Sequence, residues 1–163
     1  ELVSTALIPA FRPAGATNQM AVEWKRRMGV TVFVEDESKG VLIRYKYSEG
    51  LHVPELYFIN RSVRPDEDTL GENAKSPDEL IAVPNKLWLG LFEWCDADTL
   101  HFSITGKHLD PKTLTWFPFC RLPGGEVASG RWGEEQVRLN WRYAGCCSPL
   151  YGSRSAKKVP LRP

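Results

Sequence analysis

Between Gln136 and Tyr143 the side chains alternate without a slip. Val137, Leu139, Trp141 and Tyr143 are apolar, and Gln136, Arg138, Asn140 and Arg142 are polar. Successive side chains of a strand point to opposite faces, so this run specifies a strand with one buried face and one wet face. Such a sheet needs partner strands and a second layer. Val30-Thr31-Val32-Phe33-Val34 and Val41-Leu42-Ile43-Arg44-Tyr45-Lys46-Tyr47 flank a polar turn ending in Gly40, and together read as a hairpin over 30–47.

Further strands follow the same rules. Val22, Trp24 and Arg26 alternate with Glu23 and Lys25, which reads as a strand from Ala21 onward. Glu55-Leu56-Tyr57-Phe58-Ile59 is another. The run 87–94 is apolar on both alternating faces, which predicts a central strand covered on two sides. Residues 95–98 read as a turn, and Leu100, Phe102 and Ile104 as one face of the next strand. Leu114 to Phe119 gives one more, where Pro118 implies a bulge or an edge position, before a turn at Pro123-Gly124-Gly125. One helix interrupts the pattern. In the polar excursion 61–85, Ser76 can cap, Pro77 suits a first turn, and Asp78 and Glu79 favour the positive end of the dipole. Pro84 stops it.

Eight or nine strands, one short helix and no crossover-length helix exclude a parallel α/β sheet. They predict an all-β fold, an antiparallel eight- to nine-stranded β-sandwich of jelly-roll-like form with one short helix in a long loop; a closed barrel is the alternative. The expected organisation is an extended N-terminal arm over 1–20, the sandwich over 21–144 and an extended C-terminal tail over 145–163.

Composition narrows the function more by exclusion than by assignment. The formal net charge of +1 argues against a protein that grips nucleic acid mainly through phosphates. No run of about 18 apolar residues exists to span a membrane. Cys95, Cys120, Cys146 and Cys147 lack zinc-site spacing, and either free thiols or a disulfide framework fits them. Asn60-Arg61-Ser62 is a glycosylation sequon that matters only if the chain is secreted.

No catalytic, cofactor-binding or metal-binding set is assigned. His52 with Glu55 lacks the second histidine and the spaced glycines of a cupin metal site. Cys95, His101 and Asp98 could be drawn as a nucleophile triad, but nothing nearby supplies an activating helix terminus or an oxyanion loop. Lys25, Arg26 and Arg27 form the sharpest basic cluster; the plain reading is a solvated face, and the sharper one is a weak phosphate or RNA contact.

Thr99-Leu100-His101-Phe102-Ser103-Ile104, Thr115-Trp116-Phe117-Pro118-Phe119-Cys120 and Val137-Arg138-Leu139-Asn140-Trp141-Arg142-Tyr143 together resemble the last three strands of jelly-roll coat proteins of picorna-like positive-strand RNA viruses. The resemblance implies a non-enzymatic capsid subunit of a virion, assembling with other coat subunits through sandwich edges and terminal arms. Genomic RNA would meet a weak inner basic face, and Glu1 would suit excision from a polyprotein. The alternative expectation is a secreted or cell-surface β-sandwich module that recognises carbohydrate or a protein partner.

Overall fold

The computed structural model describes residues 7–41 and 54–159. Eight strands and three α-helices are found among them: β1 (Leu7–Arg12), α1 (Asn18–Arg27), β2 (Val32–Val34), β3 (Glu55–Asn60), α2 (Pro77–Ile81), α3 (Leu91–Thr105), β4 (Leu114–Arg121), β5 (Glu126–Gly133), β6 (Gln136–Tyr143), β7 (Tyr151–Gly152) and β8 (Ala156–Val159). They build a β-rich fold with two sheets, one of three strands in the order β1-β3-β8 and one of five in the order β2-β6-β5-β4-β7.

Several local expectations hold. β6 spans the alternating run, with Val137, Leu139 and Trp141 buried. Pro118 sits where the β4–β5 register shifts, between Phe117 and Arg121. Pro9, turn-prone by residue type, lies instead within β1, an edge strand that tolerates a missing N–H. α2 starts as expected: the Ser76 hydroxyl accepts from the Glu79 N–H at 3.3 Å, and Glu79 accepts from the Ser76 N–H at 2.8 Å. This reciprocal pair is a capping box.

Other expectations are corrected. Residues 91–105, read as the end of one strand, a turn and a second strand, form one helix, α3, running from Gly90 to a left-handed Gly106 (φ 69°). Residues 18–27 form α1 rather than a strand; Thr17 caps it, its hydroxyl accepting from the Met20 N–H. The sheets are not purely antiparallel, because β2 pairs parallel with β6 and β4 with β7. β2 finds its partner in β6, and the second arm of the hairpin expected over 30–47 falls mostly on 42–53, outside the described residues. Of the stretches read as arm and tail, residues 7–12 and 156–159 pair with β3, one on each side.

α3 is the organising element of the core. Leu91, Trp94, Cys95 and Ala97 join Ile8, Ala10, Tyr57 and Ile59 of the three-stranded sheet and Phe117, Ala128, Val137 and Leu139 of the five-stranded one in a single apolar cluster. The helix packs on β1 and α1, and the Trp94 ring meets the Phe117 ring of β4 at 5.8 Å. A smaller cluster, Leu80, Trp88, Leu114, Trp116, Val127 and Ala144, joins α2 to β4 and β5.

Candidate functional site

The residues singled out in the sequence do not converge on a site. Lys25 has no exposed surface, and its ammonium donates to Asp98 Oδ2 at 2.5 Å. A fully buried cation cannot reach a phosphate, so Lys25 drops out of the basic contact set. Arg26 points outward but holds both carboxylate oxygens of Glu37 at 2.7 Å. This pair raises the Arg26 pKa and lowers that of Glu37. The cluster is better explained as the last turn of α1, where positive charge complements the helix dipole. Asn60 is exposed at the end of β3, and its side-chain oxygen accepts from the Ser62 N–H at 3.0 Å.

Cys95, Asp98 and His101 share α3 but form no triad. Burial pushes the Cys95 thiol up to about 12, so it stays protonated and a weak nucleophile. Asp98 turns instead to Lys25, to the His108 ring at 3.0 Å and to the Leu109 N–H at 2.7 Å. Burial opposes its charge, yet the His108 hydrogen bond and the Lys25 ammonium together lower its pKa. The His101 Nδ1 lies 2.6 Å from the Lys107 carbonyl, which fixes that nitrogen as the donor. His108 is stacked between Phe102 and Trp132, with ring centroids 4.2 and 3.5 Å away. His52 lies outside the described residues. Cys95, Cys120, Cys146 and Cys147 are all free thiols, the first two buried.

Glu55 belongs to a buried charge cluster under the three-stranded sheet. Its carboxylate accepts from Arg12, Tyr57 and Lys158. Burial works against the charge, but these donors prevail and lower the Glu55 pKa. The Arg12 guanidinium also lies 2.8 Å from Glu93, whose pKa burial raises. Arg12 thus ties β1 to both β3 and α3. Among the described residues, no group of three or more His, Cys, Asp and Glu side chains is placed to hold a metal ion, and no helix is long and apolar enough to cross a membrane.

Two surfaces remain as candidates. The first is an open groove of about 470 Å³ lined by Phe11 of β1 and Pro13 just after it, by Met20, Glu23, Trp24 and Arg27 of α1, and by Phe92 and Asp96 of α3. Trp24 is 56% exposed there. The Phe11 N–H donates to Asp96 Oδ2 at 2.7 Å and fixes that carboxylate in the wall, while burial raises its pKa. The sequence held a signal for this face. Met20, Glu23, Trp24 and Arg27 recur at helical spacing, as do the buried Asn18, Ala21, Val22 and Lys25 behind them.

The second is the outer face of the three-stranded sheet. The register sets Leu7 opposite Asn60, Pro9 opposite Phe58 and Phe11 opposite Leu56, with Val159 beyond Leu56 and Lys157 beyond Phe58. Opposed residues share a face. Leu7, Pro9, Phe11, Leu56, Phe58 and Val159 therefore make most of the face away from the core apolar, with Asn60 and Lys157 the polar residues on it, and Leu7 is 52% and Phe11 45% exposed. Against family models, curated proteins and solved structures alike, the chain finds no match.

Proposed function

We propose that this chain is a structural, non-enzymatic protein that associates with copies of itself through the outer face of its three-stranded sheet. The observation that carries this is the β1–β3–β8 register, which gathers six apolar side chains on a face turned away from the core. Contiguous exposed apolar surface marks association sites, and a self-complementary patch is the simplest route to a symmetric oligomer. A coat subunit with a jelly-roll-like sandwich, closing a virion shell, is the largest form of this reading. Terminal arms have less part in it than the sequence suggests, since β1 and β8 pair within their own sheet. The test is mass in solution by light scattering, on the wild type and on Leu7→Asp/Phe58→Glu. The reading expects a defined oligomer that falls to monomer in the variant with an unchanged thermal melt. Discrete megadalton particles would add the shell. A wild type that stays monomeric at submillimolar concentration overturns the reading.

A second reading has its own observation. The groove beside Trp24 has the size and mostly apolar lining of a ligand site, and it favours a binding module, secreted or on a cell surface.

A further inference from the structure

We propose that the groove between β1, α1 and α3 binds an organic cation, a substituted ammonium group held against aromatic rings with a carboxylate beside them. The proposal rests on the binding-module reading and names its ligand class. Three rings from three elements line the one groove: Phe11 of β1, Trp24 of α1 and Phe92 of α3. The face of an aromatic ring carries the negative part of its quadrupole and attracts a cation, most strongly in tryptophan. An alkylated ammonium suits such a lining better than a bare one, because its methyl groups also bury apolar area.

The charges of the lining point the same way. Glu23 and Asp96 contribute two carboxylates and Arg27 one guanidinium. Glu23 and Arg27 are four residues apart on α1, one turn from each other, so their fields offset over the rim. Asp96 is the charge left over. Lys25, whose field reaches it, is committed to Asp98 at 2.5 Å. Burial raises the Asp96 pKa, against the Phe11 N–H and the field of Lys25, and an ammonium bound beside it would favour the charged carboxylate. Its position does not depend on a ligand, because the Phe11 N–H already holds it.

Choline, its neutral carbon isostere 3,3-dimethylbutan-1-ol and the anion 3,3-dimethylbutanoate separate the possibilities. The readout is the shift of the Trp24 indole N–H resonance in the full chain, assigned through Trp24→Phe. The proposal expects choline to bind about tenfold more tightly than its isostere. Asp96→Asn should weaken choline by about as much and leave the isostere unchanged, since the amide oxygen can still accept from Phe11. Trp24 is largely exposed, so Trp24→Ala should abolish the choline binding heat in isothermal titration calorimetry while the remaining indole signals keep their dispersion. Equal binding of choline and isostere overturns the cation and leaves an apolar groove. Preference for the anion overturns it in favour of Arg27. Silence from all three ligands removes the groove as a small-ligand site, and with it the binding-module reading on which the proposal stands.

Discussion

A lysine with no exposed surface is an uncommon choice, and Lys25 is tolerated because Asp98 faces it at 2.5 Å. Removing one partner strands the other, which costs far more than the pair contributes. Lys25→Met should therefore lose about 3–5 kcal/mol in urea unfolding. Arg26→Ala, which breaks an exposed pair one residue along, should lose no more than about 1 kcal/mol. Acid titrates the same node. The folded pKa of Asp98 lies below its ordinary 3.8, so the stability it contributes is complete above that value and is lost as pH falls through the depressed one. Glu93 has the opposite sign: its pKa is raised above 4.5, so its contribution favours the fold in acid and fades as pH climbs through the raised value. Unfolding midpoints followed from about pH 6 to pH 2 should show an acid limb that Asp98→Asn flattens. The three-residue basic cluster was plain in the sequence, but its division into one buried and two outward cations was not. That division depends on where Asp98 stands, 73 residues away.

At the level of elements, the strands that read clearly are those whose pattern is local. β6 alternates over its full length, β3 follows Pro54, and α2 announces itself by its capping box. β5 escaped notice because its turn lacks the usual residues. Gly133 pairs with Gln136, and the two residues between them, Glu134 and Glu135, have φ of 56° and 58°. A two-residue hairpin turn with both φ positive favours Asn and Gly, since a side chain at αL costs roughly 1 kcal/mol. Glu135→Gly should therefore stabilise the protein by up to about 1 kcal/mol, read as a higher denaturant midpoint at unchanged slope. α3 was misread for the opposite reason. A helix with partners on several sides has no single apolar stripe, so its sequence lacks the 3.6-residue period that marks surface helices. Glu93 faces Arg12, Trp94 faces Phe117, and Asp98 faces Lys25. Read two residues at a time, that spread looks like a strand covered on both faces.

Across the whole molecule, distant segments are tied at buried polar nodes. Asp110 accepts from the Trp94 indole of α3 at 2.8 Å, from the Thr115 hydroxyl of β4 at 2.6 Å and from the Arg154 guanidinium at 2.6 Å. Arg154 is 1% exposed and also donates to the Ser62 carbonyl. Asp110→Asn keeps the left-handed backbone that position needs (φ 54°) but leaves a buried guanidinium without its counter-charge. Chemical denaturation should record a loss of about 3–5 kcal/mol. The sequence by itself determined that this chain is rich in strands, that 136–143 buries one alternating face, and that a capped helix starts at Ser76, because strand alternation and capping act over a few neighbouring residues. The tertiary structure alone decided that 91–105 is a helix set into the core, that β2 pairs parallel with β6 and β7 with β4, and that Lys25 is buried. It also decided that Phe11, Trp24 and Phe92 share one groove. Each of these is a contact between segments far apart in the chain, and its energy is realised only when both are in place.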